Sequence, residues 1–463
     1  MKNENILGRS RALFLTAGIW IMLLFFHPGA QAQCSTTTQG FNALYGCKNV
    51  HGQVFVQGGF AMVDATQFAS GSDICAATHS IFAIYNPNNH YAGVVVDARG
   101  FRGTGLTCGS NPWDPSFGWT TSFSSVVLLP ADTIMLSAKL VLPQHTKLIG
   151  TGSGSTILVA ASNFSGTEMI DMGSSTICPV ASNHPDCPGV QIEHLGLNAN
   201  NQSFNGTAIS GIVNCCSQEL SFTNDVAISN VAAGGIGLSL QGRSNNSGPY
   251  VNIHYSGAGA CIQIYDSTGI GPLNQTRGIH GLTCNMSNNS GAAVYIDAPN
   301  NSLEDVAIQG GSSQDGIRIG SQGAAYNNVL FNVSGSGLNN VVHIVKGANT
   351  VSDVTMMGVS QSGGTNSILD ELTASTLTDA NVGMYILGEQ VQAAGTNVGY
   401  SRFTTSPNAG SNDSGAVTWL VGSSPPSGGT CAAGSLYSCT NGSNCMLDTL
   451  YGCEGSSGWK GIK

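Results

Sequence analysis

The sequence predicts an all-β protein: a right-handed parallel β-helix with an N-terminal capping α-helix and a small cysteine-rich C-terminal module. Two features of residues 190–387 carry this prediction. An apolar-x-apolar phrase recurs as Val226-Ala227-Ile228, Val251-Asn252-Ile253, Val306-Ala307-Ile308, Val329-Leu330-Phe331 and Val354-Thr355-Met356. Between these lies a second alternation, Ile236-Gly237-Leu238, Ile262-Gln263-Ile264, Val294-Tyr295-Ile296, Ile317-Arg318-Ile319 and Val342-His343-Ile344. Members return after about 23 to 32 residues, the period of a solenoid. Period-two alternation makes each piece a strand with one face in and one out. The Gly-, Asn- and Ser-rich joints leave no room for crossover helices. A coil this short cannot bury its apolar face alone, so stacked coils make the core. Ile236, Ile262, Val294, Ile317 and Val342 are expected to form one interior column. The alternative is a β-sandwich of many short strands.

The whole chain has 463 residues, of which 9% are charged, 41% are apolar and 62 are Gly, a composition suited to a turn-rich exported β protein. Lys2, Arg9 and Arg11, the apolar run Ala12–Phe26 and Ala30-Gln31-Ala32 read as a signal peptide, residues 1–32, cleaved near Ala32. No later stretch is apolar enough for a transmembrane segment, so a secreted, extracellular product is expected. Removing the signal leaves a net charge of about −12. That balance excludes a basic nucleic-acid footprint.

All 14 cysteines follow the signal, which reads as disulfides. The coil arrangement suggests Cys178 with Cys187, Cys261 with Cys284 one coil apart, and Cys431, Cys439, Cys445 and Cys453 among themselves. Cys215-Cys216 has no assignment. No tight Cys/His cluster has metal-ligand spacing, so no metal site is expected.

Residues 33–124 form an N-terminal extension and a helix. Ser72 or Asp73 can cap it, and Ile74, Ala77, Ile81, Phe82 and Tyr85 recur at helical spacing. Such a helix can seal the open end of a solenoid, with Cys75 placed to tie to Cys108. The β-helix proper is expected over residues 125–390, as about nine to eleven coils. Residues 391–430 read as a linker and 431–463 as a disulfide-stapled module. In that module Tyr437, Tyr451 and Trp459 form either a minimal core or a stacking surface for sugars.

The segment from Val94 to Gly100, then Leu128-Leu129-Pro130, Leu140-Val141-Leu142-Pro143 and Leu148-Ile149-Gly150-Thr151-Gly152, resembles the first coils of the pectate lyase and polygalacturonase β-helix superfamily. The resemblance covers roughly residues 72–390. It implies the fold and not the reaction, since that superfamily holds lyases, hydrolases, tailspikes and surface proteins.

Stacking places outward residues in columns. One column is expected to contain Gly237, Gln263, Tyr295, Arg318 and His343, with Ser239, Tyr265 and Asp297 beside it. These are either polysaccharide contacts or solvated positions on an exposed sheet. Catalytic candidates are Arg318, Asp297 and His343; substrate-binding candidates are Gln263, Tyr265 and Tyr295. Glycoside hydrolysis needs two carboxyl groups, and this face offers Asp297. Gly278-Ile279-His280-Gly281 and Arg318-Ile319-Gly320 are fragments of the polygalacturonase pattern. Resemblance to pectate lyases makes Arg318 the base of a β-elimination, which would call for Ca²⁺ on oxygen ligands. Asp297 is expected to hold the Arg318 guanidinium. Asp225, Asp305 and Asp353 align with one another and read as turn residues, as do Asn198, Asn230 and Asn285. Two functions follow: a secreted enzyme on an extracellular polysaccharide, lyase ahead of hydrolase, or a non-catalytic glycan-binding or adhesin-like β-helix.

Overall fold

The computed structural model describes residues 48–462 apart from several stretches, of which 266–277, 404–416 and 423–435 are the longest. The signal segment, Cys34, Cys47 and much of the tail lie outside the described residues. The fold is a parallel β-solenoid of about nine turns, nearly all β, with one α-helix near its start among the described residues. Each coil contributes a longer strand and a shorter one. Tyr250–Gly257 and Ala260–Tyr265 lie directly against Ile279–Met286 and Ala292–Asp297 of the next coil, in parallel register.

The long-strand ladder begins where Phe60–Asp64 pairs with Gly93–Asp97, and it runs to Val329–Ser336 against Val354–Ser362. There the direction reverses: Asn381–Leu387 and Ser375–Leu377 pair antiparallel with the last strands of the two ladders. Those returns occupy the bonding groups of what would otherwise be open sheet edges.

The short-strand ladder carries the interior column. Leu140, Ile170, Ile212, Leu238, Ile262, Val294, Ile317, Val342 and Ile368 succeed one another in register. All nine are buried. Burying one such side chain is worth about 1.5–3 kcal/mol, so the column is a main source of cohesion. The expected Ile236 is replaced by Leu238: Ile236 faces Ala260 at the strand start and is half-buried.

Most long strands bend at one shared position. His194, Asp225, Asn252, Gly281, Asp305, Asn332 and Gly358 occupy it, all with φ between 50° and 71°. This is the left-handed region, which Asn, Asp and Gly tolerate best. The side chains bond along the ladder: His194 Nδ1 lies 2.9 Å from Asp225 Oδ2, and Asn332 Nδ2 donates to Asp305 Oδ1 at 2.6 Å. Asp225 and Asp305 are therefore corner residues. Asp353 belongs to a second left-handed ladder, with Asn300 and Asn327.

Helix α1, Ile74–Ile84, starts at Asp73, whose carboxylate accepts from the Ala76 amide at 2.9 Å. Its buried face holds Ile74, Ala77, Ile81 and Phe82. Phe82 packs edge-on against Trp119 and tilted against Trp113. Cys75 is bonded to Cys108, closing a separation of 33 residues, which limits the unfolded chain by about 3–4 kcal/mol. Cys178–Cys187 and Cys261–Cys284 are also bonded, and Cys215–Cys216 forms a disulfide between adjacent residues. Cys453 is disulfide-bonded too. Four of these bonds join described residues, which fits an extracellular setting, and no described helix is long and apolar enough to cross a membrane.

Replacing Phe82 by Ala should cost about 3–5 kcal/mol, seen as a lower thermal midpoint. An unchanged midpoint would mean that α1 is not part of the solenoid core.

Candidate functional site

The outward side chains of the short strands form one column: Val213, Ser239, Gln263, Tyr295, Arg318, His343 and Leu369. Gln263, Tyr295, Arg318 and His343 are thus neighbours as expected. Ser239 stands at the position expected for Gly237. A parallel column holds Gln241, Tyr265 and Asp297.

The expected partnership of Asp297 with Arg318 is not made. Asp297 is buried and accepts from the Ser321 hydroxyl and from the Gln322 and Gly323 amides, the shortest contact being 2.7 Å to Gln322. Burial raises its pKa, and those hydrogen bonds only partly offset the rise.

Arg318 folds back along its own strand to Asp315. Its Nε and Nη2 donate to Oδ2 at 2.9 and 2.6 Å. Asn340 Nδ2 donates to the other oxygen at 2.7 Å, and His343 Nδ1 lies 2.7 Å from Oδ2. An ionised carboxylate only accepts, so the His343 proton on this side sits on Nδ1. The far nitrogen, Nε2, is 3.0 Å from Glu371 Oε1 but off the axis of a hydrogen bond, so that contact is an ion pair when the ring is protonated. Tyr295 also folds back, and its hydroxyl oxygen accepts from the Ala292 amide at 3.0 Å.

The four charges fix one another. The Asp315 side chain is 4% exposed. Burial pushes its pKa up, but bonds from His343, Arg318 and Asn340 outweigh this and hold it below the carboxylate range. Burial pulls His343 down, while Asp315 and then Glu371 more than reverse it, so the imidazolium is favoured. Glu371 is likewise lowered, desolvation being outweighed by the Lys346 amide and His343.

This geometry narrows the chemistry. Arg318 is bound through two nitrogens to a buried carboxylate, so its Nε and Nη2 are turned to Asp315 and away from a substrate proton. The imidazole fills the gap between Asp315 and Glu371, so these are not a water-holding pair of hydrolytic carboxyls. Both buried carboxylates, Asp297 and Asp315, are already bonded to protein donors. No described group of three or more His, Cys, Asp or Glu side chains is placed to hold a metal ion. Within this network the group able to exchange a proton near neutral pH is His343.

The same column has a second charged group at its other end. Lys139 Nζ lies 2.5 Å from Glu168 and 2.8 Å from Asp171, and Asp171 is in register with Val213. Burial, with help from Glu168, raises Asp171 to about 7 against the opposing pull of Lys139.

Asp315, Asn340 and Glu371 do not stand out from the sequence as site residues. The signal that could have found the first two is the polar residue three positions before each outward one, as in Asp315/Arg318 and Asn340/His343.

No protein-family profile matches the chain, and no curated protein is similar to it. Similar solved structures include ORF18 of Geobacillus virus E2, at 13% identity and a TM-score of 0.36, covering 87% of this chain and 86% of that one. Two A-modules of mannuronan C-5 epimerases from Azotobacter vinelandii are also similar. AlgE4 has 9% identity, a TM-score of 0.29 and coverage of 63% and 94%. AlgE6 has 12% identity, a TM-score of 0.29 and coverage of 65% and 98%. Likeness this distant says nothing about a reaction.

Two tests follow from the charge network. Asp315→Ala leaves Arg318 and His343 without their shared acceptor and should destabilise by about 3–5 kcal/mol, read as a lower midpoint in urea; a change within error would show the pairings to be loose. His343 has a raised folded-state pKa, so its contribution is full below the unfolded value near 6.5 and is lost as pH rises through the folded value. The gap in melting temperature between the parent and His343→Gln should therefore shrink on going from pH 6 towards pH 9. A gap that widens over that range would contradict the assignment.

Proposed function

We propose that the short-strand face binds an extracellular polysaccharide, with Gln263, Tyr295, Arg318 and His343 as its contacts. The observation that carries this reading is their register on four successive coils, about 4.8 Å apart. A polymer laid along the solenoid axis meets a new polar group at each coil. Tyr295 offers a ring face and a hydroxyl proton, since its oxygen already accepts from Ala292. Gln263 offers an amide, and Tyr265 stands at the flank beside Asp297.

Catalysis is the sharper form of the same reading, and it requires His343 Nε2 to leave its buried place against Glu371 before a proton can pass to or from a polymer. Asp315 fixes the ring and its tautomer, as an orienting carboxylate does for a general acid or base. The upward shift that Asp315 and Glu371 give the ring favours its protonated, donating form. Arg318 then serves as a fixed cation toward the polymer. The ion-pair network favours the second reading, a non-catalytic glycan-binding solenoid, because every charge in it already has a protein partner.

The two are separated by screening the secreted protein against acidic and neutral polysaccharides, reading binding, unsaturated product absorbance and reducing ends. Tyr295→Ala should weaken binding about tenfold, equivalent to about 1.4 kcal/mol. For an enzyme, His343→Gln should abolish turnover while retaining binding; for a binding protein no product forms with any variant. Undiminished binding by Tyr295→Ala, Arg318→Ala and His343→Gln alike would remove this face from consideration.

A further inference from the structure

The joints between the long and short strands carry a cleft of about 460 Å³ whose lining includes Asn201, Asn230, Ser256, Asn285, Met286 and Gln309. It is separate from the charged face, and no charged side chain lines it among the described residues. Ser229, Ser256, Asn285 and Gln309 stand in register on four successive coils, and the same column continues through Ser336 and Ser362. Several Asn side chains of the solenoid are tied into the protein, Asn230 of the cleft lining among them through Asn198 at 3.0 Å. Asn301 donates to backbone carbonyls and to Asn328, and Asn340 donates to Asp315. The side chains of Asn201, Ser256, Asn285 and Gln309 in the same lining are exposed and have no protein hydrogen-bond partner among the described residues.

We propose that this cleft binds a neutral polysaccharide whose chain runs along the solenoid axis. Each amide supplies two donors and an acceptor, matching sugar hydroxyls that both donate and accept. Met286, half-buried at the cleft wall, gives an apolar contact for the carbon face of a sugar ring. A uronate carboxylate entering here meets no cation among the described residues of the lining. The chain's net charge of −10 adds a general repulsion of polyanions. The proposal shares with the reading above only the class of polymer; its residues and its charge requirement are its own.

Affinity electrophoresis of the whole chain tests it, with gels containing a soluble neutral β-glucan or galactomannan, or else alginate or polygalacturonate. The expected result is retardation by a neutral polymer that persists in about 0.5 M salt, where exposed charge interactions are screened. The double variant Asn285→Ala/Gln309→Ala should bind about tenfold more weakly, the effect of losing about two hydrogen bonds. Both positions are exposed, so its unfolding midpoint should match the parent's. Unchanged binding by that variant, or retardation by the acidic polymers alone, overturns the proposal. Loss of binding only in Tyr295→Ala/His343→Gln overturns it too and leaves the charged face standing. Binding to none of the polymers overturns both.

Discussion

The left-handed residue at the bend of the long strands is the constraint on which the rest of this solenoid depends. A coil of some two dozen residues must close on itself and still present its strands in register to the next coil. Placing His194, Asp225, Asn252, Asp305 and Asn332 at positive φ costs of order 1–2 kcal/mol each. The side-chain bonds that run from coil to coil at this corner, such as Asn332 to Asp305, offset part of that cost. They also make the corner a register mark, because a slipped coil would break them.

Fixed register turns sequence into surface. Once Ile262, Val294, Ile317 and Val342 are stacked inside, their neighbours Gln263, Tyr295, Arg318 and His343 must be stacked outside. Two consecutive basic groups in such a column would repel one another. Asp315 resolves this by lying between them, accepting from both Arg318 and His343. Lys139 with Glu168 and Asp171 repeats the device with the signs exchanged. The face is therefore charged in composition and nearly balanced in field, whereas the described lining of the cleft at the joints carries no charge.

The repeat makes much of this legible in the amino-acid sequence. The solenoid, the capping helix with Asp73 at its start, three disulfides and the neighbouring Gln263, Tyr295, Arg318 and His343 all follow from alternation, spacing and capping chemistry. Each depends on interactions local in sequence or recurring at the coil period. The register at Ile236 does not follow. Ile236-Gly237-Leu238 and Leu238-Ser239-Leu240 are both apolar-x-apolar, and a shift of two residues leaves alternation unchanged. Packing against Ile212 and Ile262 selects Leu238.

The sequence by itself determined which side chains point in, which point out, and that coils stack. Only the tertiary structure decided what the outward side chains bond. Arg318 and Tyr295 fold back along their strands, and Glu371 comes from beyond the last repeat phrase. Asp315 does not stand out in the sequence and is the buried centre of the network in the fold. Cys215 and Cys216 bond to each other and not across coils. Strand parity fixes the direction of a Cβ, but a long side chain has several rotamers. Which one it adopts is set by the partners that other coils bring within reach.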